Sequence, residues 1–99
     1  MDLLILKALS RGGPMHGYAI ARRIHQATGD SLRIEEGSLY PALQRMTHGK
    51  WLRANWGTTD TGRRARFYTL TPAGRSQLED EERRWESLTA AVNRALRLA

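Results

Sequence analysis

The chain has 99 residues, no cysteine and a formal net charge of +6, enough for one domain with an appended helix, which can bury roughly two-thirds of its unfolded surface. Absence of cysteine excludes disulfides and thiolate metal sites and fits a reducing cytoplasm, and no apolar run approaches the roughly 18 residues of a membrane span. The charge is uneven: residues 1–78 hold twelve Lys and Arg against five Asp and Glu, a balance of +7, whereas residues 79–99 hold four against five, a balance of −1. A basic body of this kind calls for a polyanionic partner, with DNA phosphate ahead of RNA or an anionic membrane surface.

Met1 leads directly into Asp2-Leu3-Leu4-Ile5-Leu6, with an acid where a secretory signal carries positive charge. Residues 2–11 read as a first helix, apolar on more than one side through Leu3, Leu4, Leu6, Ala8 and Leu9, and therefore set deep in the fold; Arg11-Gly12-Gly13-Pro14 is a turn signal that ends it. A second helix is expected from Gly17 to Thr28. Ile20, Ile24 and Ala27 form its inner stripe, with support from Tyr18 and Ala21, and Gly29 is suited to closing it with a positive φ. Arg22 and Arg23 fall outside that stripe, as a phosphate contact or as a solvated face. Ser31-Leu32-Arg33-Ile34 alternates over too few residues to be more than a short extended piece.

The third helix, residues 36–48, organises the rest. Leu39, Ala42, Leu43 and Met46 recur at helical spacing and form a buried stripe. The opposite side carries Gly37, Pro41, Gln44 and His48, flanked by Tyr40 and Arg45: small residues at the leading end, then an amide, an imidazole and a guanidinium, with Glu36 the only acid. Such a face can lie close to a flat surface and reach base edges, and it reads as a recognition helix. Taken alone, the segment is better read as an ordinary amphipathic helix whose polar side faces water, and the context on both sides overturns that reading. If Ser38 caps the regular part, Pro41 occupies the third helical position, where its missing N–H costs nothing.

Residues 51–57 and 64–70 are the two strand candidates. Leu52, Ala54 and Trp56 share one face of the first, and Arg66, Tyr68 and Leu70 share one face of the second. Polar, turn-forming residues 58–63 join them into a hairpin. Arg63, Arg64 and Arg66 cluster at one end, which suits a wing that grips phosphate or enters a minor groove. Thr71-Pro72 then starts a terminal helix with an N-cap and a first-turn proline, running nearly to the end over about 40 Å. Along it Leu78, Trp85, Leu88, Val92, Ala95 and Ala99 recur at spacings of three, four and seven, with Glu81 in the one polar slot. A helix too long to rest on so small a domain wants a partner helix.

Nothing points to an enzyme. His16, His25 and His48 stand in separate segments without metal-ligand spacing, the acidic run Glu79-Asp80-Glu81-Glu82 reads as a solvated face, and no phosphate-binding glycine loop is present. His16-Gly17-Tyr18 reads as a helix start that packs Tyr18. No metal and no cofactor are expected.

Together these elements resemble the PadR-like transcriptional regulators. The residues that carry the resemblance are His16-Gly17-Tyr18, Gly37-Ser38-Leu39-Tyr40-Pro41-Ala42-Leu43, and Gly62-Arg63-Arg64 with Tyr68-Thr69-Leu70-Thr71-Pro72-Ala73-Gly74. The match runs the length of the chain in the expected order. It implies a homodimeric repressor with operator contacts from the third helix, notably around Ser38 and Tyr40, and from the wing. It also implies a short member with a single terminal helix and no larger C-terminal effector region. One departure stands out: family members place a glycine just before the apolar pair that begins the first strand, whereas here Lys50 precedes Trp51-Leu52 and the glycine is Gly49. A helix exit shifted by one residue is expected.

The fold expected is therefore mainly α with a small β-hairpin, an α+β winged helix-turn-helix domain over residues 1–71 followed by a C-terminal dimerisation helix over 72–99. The DNA-binding set is Gly37, Ser38, Tyr40, Pro41, Gln44, Arg45, His48, Arg63, Arg64 and Arg66, and the dimerisation set is Leu78, Trp85, Leu88, Val92 and Ala95. Partners are a double-stranded operator and a second copy of the chain, in the cytoplasm at the nucleoid and not at a membrane. Two-fold pairing would bring both copies of Trp85 near one axis, where a planar aromatic effector could stack between them; packing against Leu88 and the first helix is the competing role. The competing function is a winged-helix module that binds protein and not DNA, which would show an exposed apolar patch in place of the cations on the third helix and wing.

Overall fold

The structure, a computed structural model, describes residues 1–98. Four helices and three strands follow in the order α1 (Asp2–Gly12), β1 (Met15–His16), α2 (Gly17–Ala27), α3 (Glu36–His48), β2 (Leu52–Thr58), β3 (Arg64–Leu70) and α4 (Pro72–Leu98). The strands form one antiparallel sheet in the order β1-β3-β2. The expected hairpin thus gains a third strand: Met15 pairs with Tyr68 and His16 with Phe67. Two residues are too few for a periodic signature, and β1 exists only because β3 offers it a free edge.

One apolar core joins the helices to the inner face of the sheet. Ile5 and Leu6 of α1, Ile20 of α2, and Leu39, Leu43 and Met46 of α3 are fully buried, each contributing roughly 1.5–3 kcal/mol by leaving water. Leu52 and Tyr68 close the core from the sheet side. The stripe read for α3 is the buried one, and α1 lies deep as expected. On α2 the inner stripe is narrower than its spacing suggests: Ile20 and Ile24 are buried, while Tyr18 is 64% exposed and Ala27 also faces solvent. The helix ends at Ala27, where the Thr28 hydroxyl donates to the Ile24 and His25 carbonyls, and Gly29 follows at φ 59°.

Two backbone features of α3 depart from expectation. The helix starts at Glu36 with Glu35 as its cap residue, so Ser38 lies within the helix and Pro41 inside it as well. Having no N–H, Pro41 leaves the Gly37 carbonyl without its helical donor, and both residues are exposed, on the side of α3 away from the core. At the far end the helix closes at Gly49. Gly49 has φ −76°, and Lys50 takes the left-handed conformation at φ 69°. A non-glycine residue thus stands where the backbone favours glycine.

Thr71 ties the sheet to α4. Its hydroxyl donates to the Lys50 and Trp51 carbonyls at 2.7 and 3.0 Å and accepts from the Gly74 N–H at 3.0 Å, the N-cap expected of it. Gly74 is required by packing, because a Cβ there would collide with the Trp51 carbonyl and Leu70. The first turns of α4 then lie on α1, where Lys7 pairs with Glu82 at 3.2 Å. Leu78, expected at a dimer seam, is instead 7% exposed within the core of its own protomer.

Candidate nucleic-acid interface

The start of α2 positions the outer face of α3. His16 caps α2 by accepting the Ala19 N–H on Nδ1 at 3.4 Å, and its ring meets Phe67 edge-on with centroids 5.4 Å apart. This places Gly17 directly against the Tyr40 ring: a Cβ at Gly17 would lie 2.7 Å from Tyr40 Cε1. Two of the three sequence motifs therefore meet in one contact, and the small residue in the first is there to seat the aromatic of the second. Tyr18, expected to pack, projects outward and its ring is roughly parallel to that of His16.

Gly37, Ser38, Tyr40, Pro41, Gln44, Arg45 and His48 are all exposed on α3. A groove of about 430 Å³ separates this face from the hairpin, lined by Tyr40, Gln44, Thr47, His48, Arg66 and Tyr68. The structure thus brings Tyr40, Gln44 and His48 together with the wing residue Arg66. Burial raises the Tyr68 phenol above its ordinary value, with Arg66 opposing the shift. A second cleft of about 510 Å³ lies across the start of α3, between Tyr18, Arg22 and His25 on α2 and Arg33, Gly37 and Tyr40.

Arg45 behaves differently from its neighbours. Its two terminal nitrogens donate to the two Asp2 carboxylate oxygens at 2.8 and 2.9 Å, a bidentate pair between α3 and α1. The hydrogen bond from Arg45 holds the Asp2 carboxyl below its ordinary value near 3.8, with partial burial opposing the shift. The guanidinium read as a possible base contact is committed to an intramolecular partner, because the fold brings a carboxylate 43 positions away to its side.

The wing is the β2–β3 hairpin, whose register pairs Thr58 with Arg64, Trp56 with Arg66 and Ala54 with Tyr68. Its loop is closed by Thr59, which accepts the Arg63 N–H on its hydroxyl at 3.1 Å, and Gly62 takes φ 84°. Arg63, Arg64 and Arg66 are all exposed.

Along α4 the predicted stripe is largely free of the protomer's own body. Trp85 is 57% exposed and Leu88 56%, and Val92 and Ala95 are exposed beyond them; Ala99 lies outside the described residues. Trp85 and Leu88 form one wall of an open groove of about 600 Å³ whose other wall is Leu3, Leu4 and Leu32. Glu81 in the polar slot accepts from Gln77 at 2.8 Å and faces Arg84.

A helix-turn-helix core, a basic wing and a long terminal helix with an exposed apolar stripe are thus in place, and the family model described as "Transcriptional regulator PadR-like family" matches residues 5–80. The chain belongs to the PadR-like family. PadR-like proteins are transcriptional regulators and not enzymes. A 37.1 kDa protein in transposon TN4556 of Streptomyces fradiae is 41% identical over 92% of this chain, which spans only 24% of that protein. A transcriptional regulator from Clostridium thermocellum superposes with a TM-score of 0.85 at 28% identity, covering 95% of this chain and 90% of the other. PadR of Bacillus subtilis, solved in complex with operator DNA, superposes with a TM-score of 0.69 at 26% identity over 80% of this chain and 44% of that one.

Two features of this PadR-like surface escape a reading of the sequence. Tyr68 reads as an ordinary strand residue, yet it lines the groove beside α3. Trp56 reads only as sharing a strand face with Leu52 and Ala54, yet unlike the buried Leu52 it is 60% exposed with Arg64 and Arg66 over its ring. The hairpin register carried the signal for Trp56, since it places the indole opposite Arg66.

Proposed function

We propose that the chain is a DNA-binding transcriptional repressor acting as a homodimer in the cytoplasm, at the nucleoid, on a two-fold symmetric operator. The observation that carries this reading is the shared groove of α3 and the wing: Gln44, His48 and Arg66 converge on it, and no acid lies among the residues lining it. In this reading α3 enters a major groove, with Gly37 and Pro41 allowing close approach, Gln44 and His48 reading base edges, and Ser38 and Tyr40 contacting backbone phosphate. Arg45 orients α3 through Asp2 and reads no base. Arg63, Arg64 and Arg66 hold phosphates on the flank. The operator complex of the Bacillus subtilis relative supports the assignment.

Residues 72–99 form the dimerisation arm, through Trp85, Leu88, Val92 and Ala95. An apolar stripe of this length left in water favours association, and two-fold pairing places the recognition helices about 34 Å apart, one turn of duplex. The groove at Trp85 suits a planar aromatic effector that stacks on the indole and, by changing the angle between the terminal helices, releases DNA.

Binding of duplex by variants over a range of salt tests the assignment. Gln44→Ala relaxes preference at one or two base pairs and leaves the salt slope intact. Arg63→Ala with Arg64→Ala weakens all sequences alike and lowers the slope by about 2. An unchanged slope removes the wing from the interface. For the effector, titration of planar aromatics against tryptophan fluorescence, with Trp85→Leu as control, decides between a ligand site and packing: equal quenching in both proteins leaves Trp85 as packing.

A further inference from the structure

The wing holds an exposed aromatic, 60% accessible to solvent. Trp56 stands opposite Arg66 across the hairpin and diagonal to Arg64, so all three side chains leave the same face of the sheet. The Arg64 guanidinium lies 4.6 Å from the indole centroid and that of Arg66 5.8 Å, both within cation–π range. Among the described residues neither arginine has a carboxylate within salt-bridge distance. Among the described residues the indole is the aromatic partner that both guanidinium groups share. Arg66 in turn lines the groove shared with Gln44 and His48.

We infer that Trp56 is a positioning residue of the interface, an aromatic platform that holds Arg64 and Arg66 side by side for the phosphates flanking the bases that α3 reads. The inference rests on the DNA-binding reading above and adds the residue that organises its wing. A free arginine loses much rotamer freedom on gripping phosphate, and a side chain already laid on a ring loses less. The guanidinium edge keeps its donors, since stacking uses the flat face and leaves the N–H groups in the plane for phosphate oxygens.

The test uses the full chain and a duplex selected for binding to it, with Trp56→Ala, Trp56→Phe, and Trp56→Ala in an Arg64→Ala/Arg66→Ala background. In the free protein, NMR should find the Arg64 Hδ protons shifted upfield by the indole ring current, and Trp56→Ala should abolish the shift. Trp56→Ala should weaken duplex binding about fivefold with an unchanged salt slope, because the charges remain and only their placement is lost. Trp56→Phe should recover most of that loss, and Trp56→Ala should have no further effect once both arginines are gone. Absence of the ring-current shift overturns the platform. An equal loss in the arginine-free background overturns it too, since Trp56 would then touch DNA itself. Wild type binding while Trp56→Ala matches it overturns the platform alone; wild type binding no duplex overturns the DNA-binding reading.

Discussion

Gly17→Ala probes the contact between the start of α2 and Tyr40 of α3, the helix proposed to read DNA. The added Cβ would lie 2.7 Å from Tyr40 Cε1 and 3.1 Å from both Cζ and the hydroxyl oxygen. The ring must retreat by roughly 0.7 Å to reach ordinary contact, and it is free to do so because Tyr40 is exposed on its outer side. Gly17 has no positive φ, so alanine suits its backbone as the first residue of α2. The helix-propensity gain and the overpacking cost oppose each other, and global stability should change by no more than about 1 kcal/mol. Binding should change more. A phenol displaced from a phosphate oxygen loses a hydrogen bond to a charged group, about 1.5 kcal/mol at the lower end, or close to tenfold in affinity. Tyr40→Phe should lose the same amount, and the double variant should be no weaker than either single one, because both remove one interaction. Thermal unfolding and duplex titration of the three proteins give the answer. Wild-type affinity for Gly17→Ala, or additive losses in the double variant, would refute the reasoning.

Three further outcomes follow from the fold. Lys50→Gly relieves a non-glycine residue at φ 69° and should stabilise the protein by about 0.5–1 kcal/mol, a rise of several degrees in Tm, whereas Lys50→Ala should gain nothing. Asp2 has a folded value below its ordinary one, so its contribution is complete above the unfolded value near 3.8 and is lost as pH falls through the lower folded value. Arg45 is 57% exposed, so solvent screening limits that contribution to about 0.2–1 kcal/mol: Asp2→Asn should cost this much near neutrality and nothing below the folded value, read by urea unfolding. Leu88→Asp should place an unpaired carboxylate in the proposed helix seam and dissociate the proposed homodimer, at a cost of several kcal/mol to association. A well-folded wild-type monomer in sedimentation at micromolar concentration would remove the dimer.

The sequence states its helices clearly because each carries a stripe at helical spacing, and the hairpin because its alternation is bracketed by turn residues. Periodicity, however, names a face and not a neighbour. Leu78 and Trp85 lie on one stripe, yet the first belongs to the protomer's own core and the second to the groove beyond it. Arg45 announces a cation but not that Asp2 lies beside it, and β1 has no signature apart from its pairing with β3. Lys50 obscures the turn after α3 because residue type suggests glycine conformation at Gly49, while the chain bends at the residue after it. On the outer face of α3 the reading goes further, since a side chain that does not face the core needs only its own element to be placed: Tyr40, Gln44 and His48 do line one groove. That this groove also takes in Tyr68 and Arg66 depends on how α3 packs against the sheet, a long-range property.

The most direct measurement of the central claim is selection of bound duplexes from a random pool by the full chain. Enrichment of a two-fold symmetric site whose half-sites lie about one helical turn apart is expected, with affinity falling steeply as salt rises. Recovery of no preferred sequence, or of an asymmetric site bound with little dependence on salt, would contradict it.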